Sequence, residues 1–182
     1  SEVDEVLERI ERLADDNRRK AETVLRKIAR LLEELKKHSE DVNRKIKELV
    51  KELEDEVRRA GVPRDDVERV LREIEELSKR HREEVKRNEE RIRRELEKLE
   101  RETRKLLEEI RRELDKLKKR NLDRELLERV LRRVEKKSED HKRKLEEAER
   151  RVDKNREDHE RRNEELLRRV EERVEDVKRR IK

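Results

Sequence analysis

Apolar residues recur every three or four positions along almost the whole chain, and this spacing predicts amphipathic helices. The first stripe runs from Val3 to Ala60, and similar stripes follow in the middle and final thirds of the chain. Adjacent apolar pairs such as Leu31-Leu32 widen the stripes. A helix needs that extra width when it packs against two neighbours. The pattern therefore predicts three long helices that share one core.

Two short segments interrupt the stripes, and both carry residues typical of helix ends. Gly61 follows Ala60 and suits the left-handed residue that closes a helix, and Pro63 fits the first turn of the next helix. Asn121 can close the second helix in the same way, and Asp123 is a natural N-cap for the third. The predicted helices span about 1–60, 63–120 and 123–182.

Such short connections place consecutive helices side by side in opposite directions. We therefore predict an all-α fold: a single-chain antiparallel, up-down-up three-helix bundle or coiled coil with helices of nearly sixty residues. We expect residues 1–182 to form a single elongated domain. The outer helix faces carry almost only charged residues, which favours a monomer, and a homo-oligomer is the alternative that stays open.

The composition separates this chain from several classes of protein. Of its residues 62% are charged and 28% hydrophobic, none is aromatic, and 59 basic side chains nearly balance 54 acidic ones. Because these charges are interleaved and no aromatic residue is present to stack on bases, we predict no nucleic-acid partner. No apolar run approaches the ~20 residues that span a bilayer, so we predict no membrane partner. We expect no small-molecule partner, and a soluble protein suited to recombinant cytoplasmic expression.

Residues that carry chemistry in enzymes are few. The chain has no cysteine, and its four histidines occur without a His-Glu-x-x-His or Glu-x-x-His spacing. Ser138 and His141 share a helix face, but no third group completes a catalytic set. We therefore predict that the chain is not an enzyme, that it has no catalytic residue, and that it binds neither a cofactor nor a metal.

Polar residues interrupt the apolar stripes, and a geometric argument predicts that they meet. With short loops, facing residues of the first two helices have numbers that sum to about 127, and those of the last two sum to about 243. The predicted buried network then falls into three levels: His38, Asn88 and Asn155; His81, His159, Asn163 and nearby Asn43; His141, Thr103 and Thr23. Three serines flank these levels: Ser39, Ser78 and Ser138. Because an unpaired buried polar group costs about 1–3 kcal/mol, we expect each level to be hydrogen-bonded.

The chain resembles de novo designed helical bundles with buried hydrogen-bond networks. The resemblance rests on the absence of Cys, Met and aromatic residues, the Glu/Arg/Lys surface, the two short loops, and polar residues at core positions. It implies a structural scaffold without natural biochemical activity or natural location, in which the networks specify helix register and pairing. The alternative is a pH-responsive or self-associating module in which buried histidines destabilise the bundle on acidification.

Overall fold

The computed structural model describes residues 1–119 and 123–181, and within these ranges three long helices account for nearly every residue. Helix α1 spans Glu2–Ala60 (59 residues), α2 spans Asp65–Lys119 (55 residues), and α3 spans Arg124–Ile181 (58 residues). The predicted all-α, three-helix bundle is thus confirmed.

The break between α1 and α2 shows why the first helix stops where it does. Gly61 has a φ of 67°, in the left-handed region that side chains disfavour, and its amide donates to the carbonyl of Arg58 at 3.3 Å. Helix α2 begins at Asp65 and not at Pro63, because the carbonyl of Arg64 is the first helical acceptor, bonded by the amide of Glu68 at 2.9 Å. The predicted start of α2 was therefore two residues early.

The beginning of α3 confirms the role of Asp123 as N-cap. A side-chain oxygen of Asp123 accepts from the amide of Glu125 at 3.5 Å, and its carbonyl accepts from the amide of Leu127 at 3.2 Å. The predicted helix-closing role of Asn121 falls outside the described residues.

Residues group by their contacts into two compact units, and each unit takes a segment from all three helices. The first unit comprises 1–30 and 92–153, and the second comprises 31–91 and 154–182. The single domain predicted for residues 1–182 stays a prediction.

The first unit packs around a core of aliphatic side chains. Ile10 of α1, Ile110 of α2 and Val134 of α3 are almost completely buried there, and each comes from the apolar stripe of its helix. Helices α1 and α3 run in the same direction in this unit, because Lys20 pairs with Glu146 and, further along both helices, Lys27 pairs with Glu149. The apolar stripes thus generate the predicted up-down-up arrangement within this unit.

The second unit has its own aliphatic core. Leu53 of α1, Ile74 of α2 and Val170 of α3 are at most 1% exposed. Among the described residues no large hydrophobic side chain is exposed in either unit. The charged outer faces therefore cover both cores, as the hydrophobic pattern predicts.

Helix register matches the prediction at one interface and departs from it at the other. Asn88 with Asn155 and Thr103 with His141 agree with the sum of about 243 predicted for α2 and α3, to within one residue. Between α1 and α2, residues that line the same pockets have numbers that sum to about 124, such as Ile46 with Ser78, which is about one helical turn below the predicted sum of about 127.

The path of the first loop explains this shift. Val62 and Arg64 line the same surface pocket as Glu54 and Val57, so the loop runs back beside the last turns of α1 before α2 begins. The prediction assumed that the two helix ends stand at one level. The non-helical residues between the two helices instead shift α2 along its axis relative to α1.

Candidate functional site: buried polar layers

Polar side chains occupy core positions in both units, where the stripes would otherwise be aliphatic. Among the residues that the structure describes, ten polar ones are less than 9% exposed: Asn17, Ser39, Ser78, His81, Asn88, Thr103, Ser138, His141, His159 and Asn163. Each lies on a continuous helix whose backbone groups already bond to one another. The polar side chains can be satisfied by side chains of a neighbouring helix or by a carbonyl one turn earlier on their own helix.

In the second unit, Asn163 of α3 connects histidines on the other two helices. Its Nδ2 donates to Nδ1 of His38 at 2.8 Å, and its Oδ1 accepts from Nε2 of His81. These directions fix the tautomers, because an amide oxygen only accepts and an amide nitrogen only donates. His38 therefore carries a bare Nδ1, and His81 carries its proton on Nε2.

A second histidine lies beside this chain of hydrogen bonds. The rings of His81 and His159 have centres 6.0 Å apart and planes inclined by 17°. Nδ1 of His81 and Nε2 of His159 are buried and make no hydrogen bond. Each therefore keeps an unused ring nitrogen in the interior.

Two asparagines on α2 and α3 form a closed pair in the same unit. Nδ2 of Asn88 donates to Oδ1 of Asn155 at 2.6 Å, and Nδ2 of Asn155 donates to Oδ1 of Asn88 at 2.7 Å. Both amides thus exchange a donor and an acceptor. This reciprocal geometry requires the two side chains to lie opposite each other.

The first unit contains a pair formed by Thr103 of α2 and His141 of α3. The Thr103 hydroxyl donates to the carbonyl of Leu99 at 2.8 Å, and its oxygen lies 2.7 Å from Nε2 of His141. Since a hydroxyl has only one proton, His141 is the donor in the second bond. Thr103 therefore links the histidine to the backbone of its own helix.

Burial lowers the pKa of three histidines, and in each case loss of solvation is the largest cause. For His81, the hydrogen bond that it donates to Asn163 and the charge of Glu84 partly oppose the lowering of the pKa. For His159, the neighbouring His81 lowers the pKa further. For His141, Glu102 opposes and Lys144 adds to the effect of burial. These three rings are therefore mainly neutral at pH 7.

The structure rearranges the first predicted level. His38, which is half-buried, does not join Asn88 and Asn155, and it bonds to Asn163 instead. The shift of about one turn in the α1–α2 register contributes to this change, because it moves His38 towards the level of His81. Asn88 and Asn155 meet as predicted, but they form a pair of their own.

Two other predicted network members have no cross-helix hydrogen bond. Thr23 is exposed, and its hydroxyl donates to the carbonyl of Arg19 on its own helix at 2.9 Å. Its inclusion in a buried layer was wrong, because Thr23 lies between the stripe residues Ala21 and Val24 and points outward. Asn43 is half-buried, and its Oδ1 is enclosed without a hydrogen-bond partner.

Four buried polar residues were not assigned to the predicted network. Asn17 donates to the carbonyl of Leu13 at 2.9 Å, while its Oδ1 is buried without a partner. The hydroxyls of three serines are also buried without a partner: Ser39, Ser78 and Ser138. The available signal was their position, because Asn17 occupies a stripe position and each serine lies within three residues of a histidine.

The chemistry open to these layers is limited. No described cluster of three or more His, Cys, Asp or Glu side chains has an arrangement that could hold a metal ion. The hydroxyls of Ser78 and Ser138 have no bond to a histidine that could take their proton. No helix within the described ranges has the length and apolar character to cross a membrane. What the layers offer is directional hydrogen bonding between helices.

No protein-family model, no curated protein and no solved structure matches this chain.

Proposed function

We propose that the chain is a designed structural scaffold without natural biochemical activity, in which buried polar networks specify helix register and pairing. The observation that carries this proposal is the reciprocal Asn88–Asn155 pair, with hydrogen bonds of 2.6 and 2.7 Å between α2 and α3. Each side-chain amide donates one hydrogen bond to the other and accepts one from it. The geometry has only one solution along the two helices.

Apolar layers alone discriminate weakly between registers, because one aliphatic side chain can replace another in a shifted packing. A slip of α3 by one turn would separate Asn88 from Asn155 and Asn163 from His81. Each stranded buried group would cost about 1–3 kcal/mol. The polar layers therefore penalise wrong registers more than they stabilise the right one.

The resemblance to designed bundles supports the proposed origin. The one glycine and the one proline both lie at the first loop, and the surface is built from Glu, Arg and Lys. Ion pairs join the helices across this surface, as between Lys137 and Glu109 at 3.0 Å.

The covered cores favour a monomer, so we expect light scattering to give a mass near 22.7 kDa. A multiple of that mass would contradict the monomer.

The register proposal is tested by measuring the distance between spin labels on α2 and α3. The exposed residues Glu83 and Glu157 are replaced by cysteine and labelled in the parent and in an Asn88→Leu/Asn155→Leu variant. We expect one narrow distance distribution in the parent and a second or much broader one in the variant. Double electron–electron resonance provides the measurement.

A matched control is Val85→Leu, which alters an apolar stripe position one turn from Asn88 and leaves the polar pair intact. The control should keep the distribution of the parent. A distribution that stays single and unchanged in the Asn88→Leu/Asn155→Leu variant would show that the pair does not specify register.

A second candidate function is an acid response, and the buried His141–Thr103 pair favours it. Because the folded pKa of His141 lies below the value near 6.5 of an unfolded histidine, the unfolded state takes up the proton first as the pH falls. The stability of the fold is therefore intact above about pH 6.5 and declines from there towards the folded pKa. Glu102 and Lys144 are the charged groups that act on this ring.

A further inference from the structure

We propose that the groove between α1 and α2 in the second unit is a docking surface for one acidic amphipathic helix of another protein. The groove is lined by residues from 36–54 of α1 and 64–89 of α2, and we call it the α1–α2 groove. This inference goes beyond the scaffold proposal, because a scaffold needs only its own three helices.

Two adjoining cavities form the α1–α2 groove. Their volumes are about 620 Å³ and about 390 Å³, and Arg82 lines both, so the groove is continuous. Its α1 wall extends from Lys36 to Glu54, which is roughly 27 Å at about 1.5 Å per residue. A partner helix of about 18 residues therefore fits along it, in the manner of amphipathic helices that occupy grooves of other proteins.

The floor of the larger cavity is aliphatic. Ile46 and Ile74 are buried core residues that line it, and Val50 and Leu71 lie half-buried beside them. A docked helix would remove the remaining exposed surface of Val50 and Leu71 from water, which favours association. The cavity between α2 and α3 differs, because its one aliphatic lining residue, Leu77, lies among charged side chains.

The seam between α1 and α2 lacks the ion pairs that join α3 to both other helices. Within the described residues of this unit, the ion pairs between helices all involve α3, as in Arg162–Glu84, Arg173–Glu73 and Lys178–Glu56. Side chains from α1 and α2 that share a cavity include like charges, such as Glu40 with Glu83 and Lys51 with Arg72. Electrostatic attraction therefore does not hold this seam closed.

The charges along the groove favour an acidic partner. Basic side chains outnumber acidic ones by five to three in the larger cavity and by four to three in the smaller one. Lys47 and Lys51 on one wall, and Lys79 and Arg82 on the other, are exposed and can pair with carboxylates on both flanks of a docked helix. A second copy of this chain carries the same basic excess in its groove, so pairing groove to groove would oppose like charges.

Polar groups without a partner line the same groove. The hydroxyls of Ser39 and Ser78 and the Oδ1 of Asn43 make no hydrogen bond, although Ser39 is only 3% and Ser78 only 6% exposed. Rotation about one bond redirects a serine hydroxyl, so each serine can turn towards a docked side chain. We therefore expect the partner to present a small polar residue within its aliphatic face, because that residue would satisfy these groups.

The test uses the full chain and a synthetic helical peptide of about 20 residues, with Leu along one face, Ser at the centre of that face and Glu on both its flanks. Fluorescence anisotropy of the labelled peptide measures binding at pH 7.5 in about 50 mM and about 300 mM NaCl. We expect saturable binding of one peptide per chain, weakened by about threefold or more at the higher salt concentration. Amide NMR shifts of the chain should concentrate in residues 36–54 and 64–89.

The variant Lys47→Glu/Lys51→Glu should weaken binding by about tenfold or more, because it replaces two attractive contacts by repulsive ones. The matched control is Lys98→Glu/Lys105→Glu, which makes the same charge change at two exposed positions of the first unit. This control should bind as the parent does. A second control is the peptide with Lys in place of every Glu, which should not bind.

Four results would each overturn the proposal. They are failure of the parent to bind the Glu peptide, equal binding of the Glu and Lys peptides, equal binding by the parent and the folded Lys47→Glu/Lys51→Glu variant, and amide shifts outside the groove. A parent that dimerises through this groove without peptide would assign it to a second copy and would also overturn it. Circular dichroism confirms that each variant is helical, and if Lys47→Glu/Lys51→Glu does not fold, the two peptides and the shifts of the parent decide.

Discussion

The pair formed by Thr103 and His141 offers the sharpest test of the physical argument. Replacing Thr103 by Val keeps the shape of the side chain but removes the oxygen that accepts from Nε2 of His141 at 2.7 Å. His141 is only 6% exposed, so water cannot easily replace the lost acceptor. We expect Thr103→Val to destabilise the fold.

The magnitude follows from what each group loses. A buried donor left without an acceptor costs about 1–3 kcal/mol, and this applies to the Nε2–H group of His141. The carbonyl of Leu99 also loses the hydroxyl bond at 2.8 Å, but it lies within α2, where backbone hydrogen bonding continues. We therefore expect a loss of about 1–3 kcal/mol in the free energy of unfolding, nearly all of it from His141.

The assay is guanidinium unfolding followed by circular dichroism at pH 7.5, where His141 is neutral. A double-mutant cycle isolates the interaction, with Thr103→Val, His141→Leu and the double variant measured under identical conditions. In the His141→Leu background, Thr103→Val should cost much less than in the parent, because no stranded donor remains. Amide exchange in residues 92–153 checks that the change lies in the first unit.

Equal costs of Thr103→Val in the two backgrounds would refute this reasoning, because the loss would then come from Thr103 alone. A stability of Thr103→Val equal to that of the parent would refute it as well. In that case the buried histidine would have no need of its partner.

Two further predictions concern the first loop and the response to acid. Gly61→Ala should cost about 1 kcal/mol of stability, because a φ of 67° strains a side chain even though nothing lies within 4 Å of the added Cβ. The control is Arg59→Ala, which lies inside α1. Equal melting temperatures for Gly61→Ala and the parent would contradict the prediction. The parent should lose stability between pH 7.5 and pH 5, since the folded pKa of His141 is lowered, and His141→Gln should lose less over the same range. Guanidinium unfolding midpoints of the parent and of His141→Gln at the two pH values measure these losses. Identical pH dependence in parent and variant would contradict the assignment to His141.

Much of the fold could be predicted because its determinants are local. The apolar spacing identifies the helices, Gly61 marks the end of α1, and Asp123 caps α3 through its own side chain. The α2–α3 register was also predictable, and the Asn88–Asn155 and Thr103–His141 pairs agree with it. These features depend on residues close in sequence or on a connection short enough to fix the helix ends.

The partner of His38 was decided only by tertiary structure. The path of the first loop beside α1 shifts the α1–α2 register by about one turn, and a spacing rule has no information about that path. His38 therefore bonds to Asn163 and not to the Asn88–Asn155 pair. Thr23 is a different case, because its place between the stripe residues Ala21 and Val24 already indicated an outward side chain.

The sequence by itself thus determined that polar residues occupy core positions, and the tertiary structure decided which of them meet. A helical pattern defines a face, but hydrogen bonds depend on individual atoms within about 3 Å of each other. Asn163 shows the difference. Its burial follows from its position in the apolar stripe of α3. Its hydrogen bonds to His38 and His81 depend on the axial register of all three helices. The unused nitrogens of His81 and His159 also become visible only at that level.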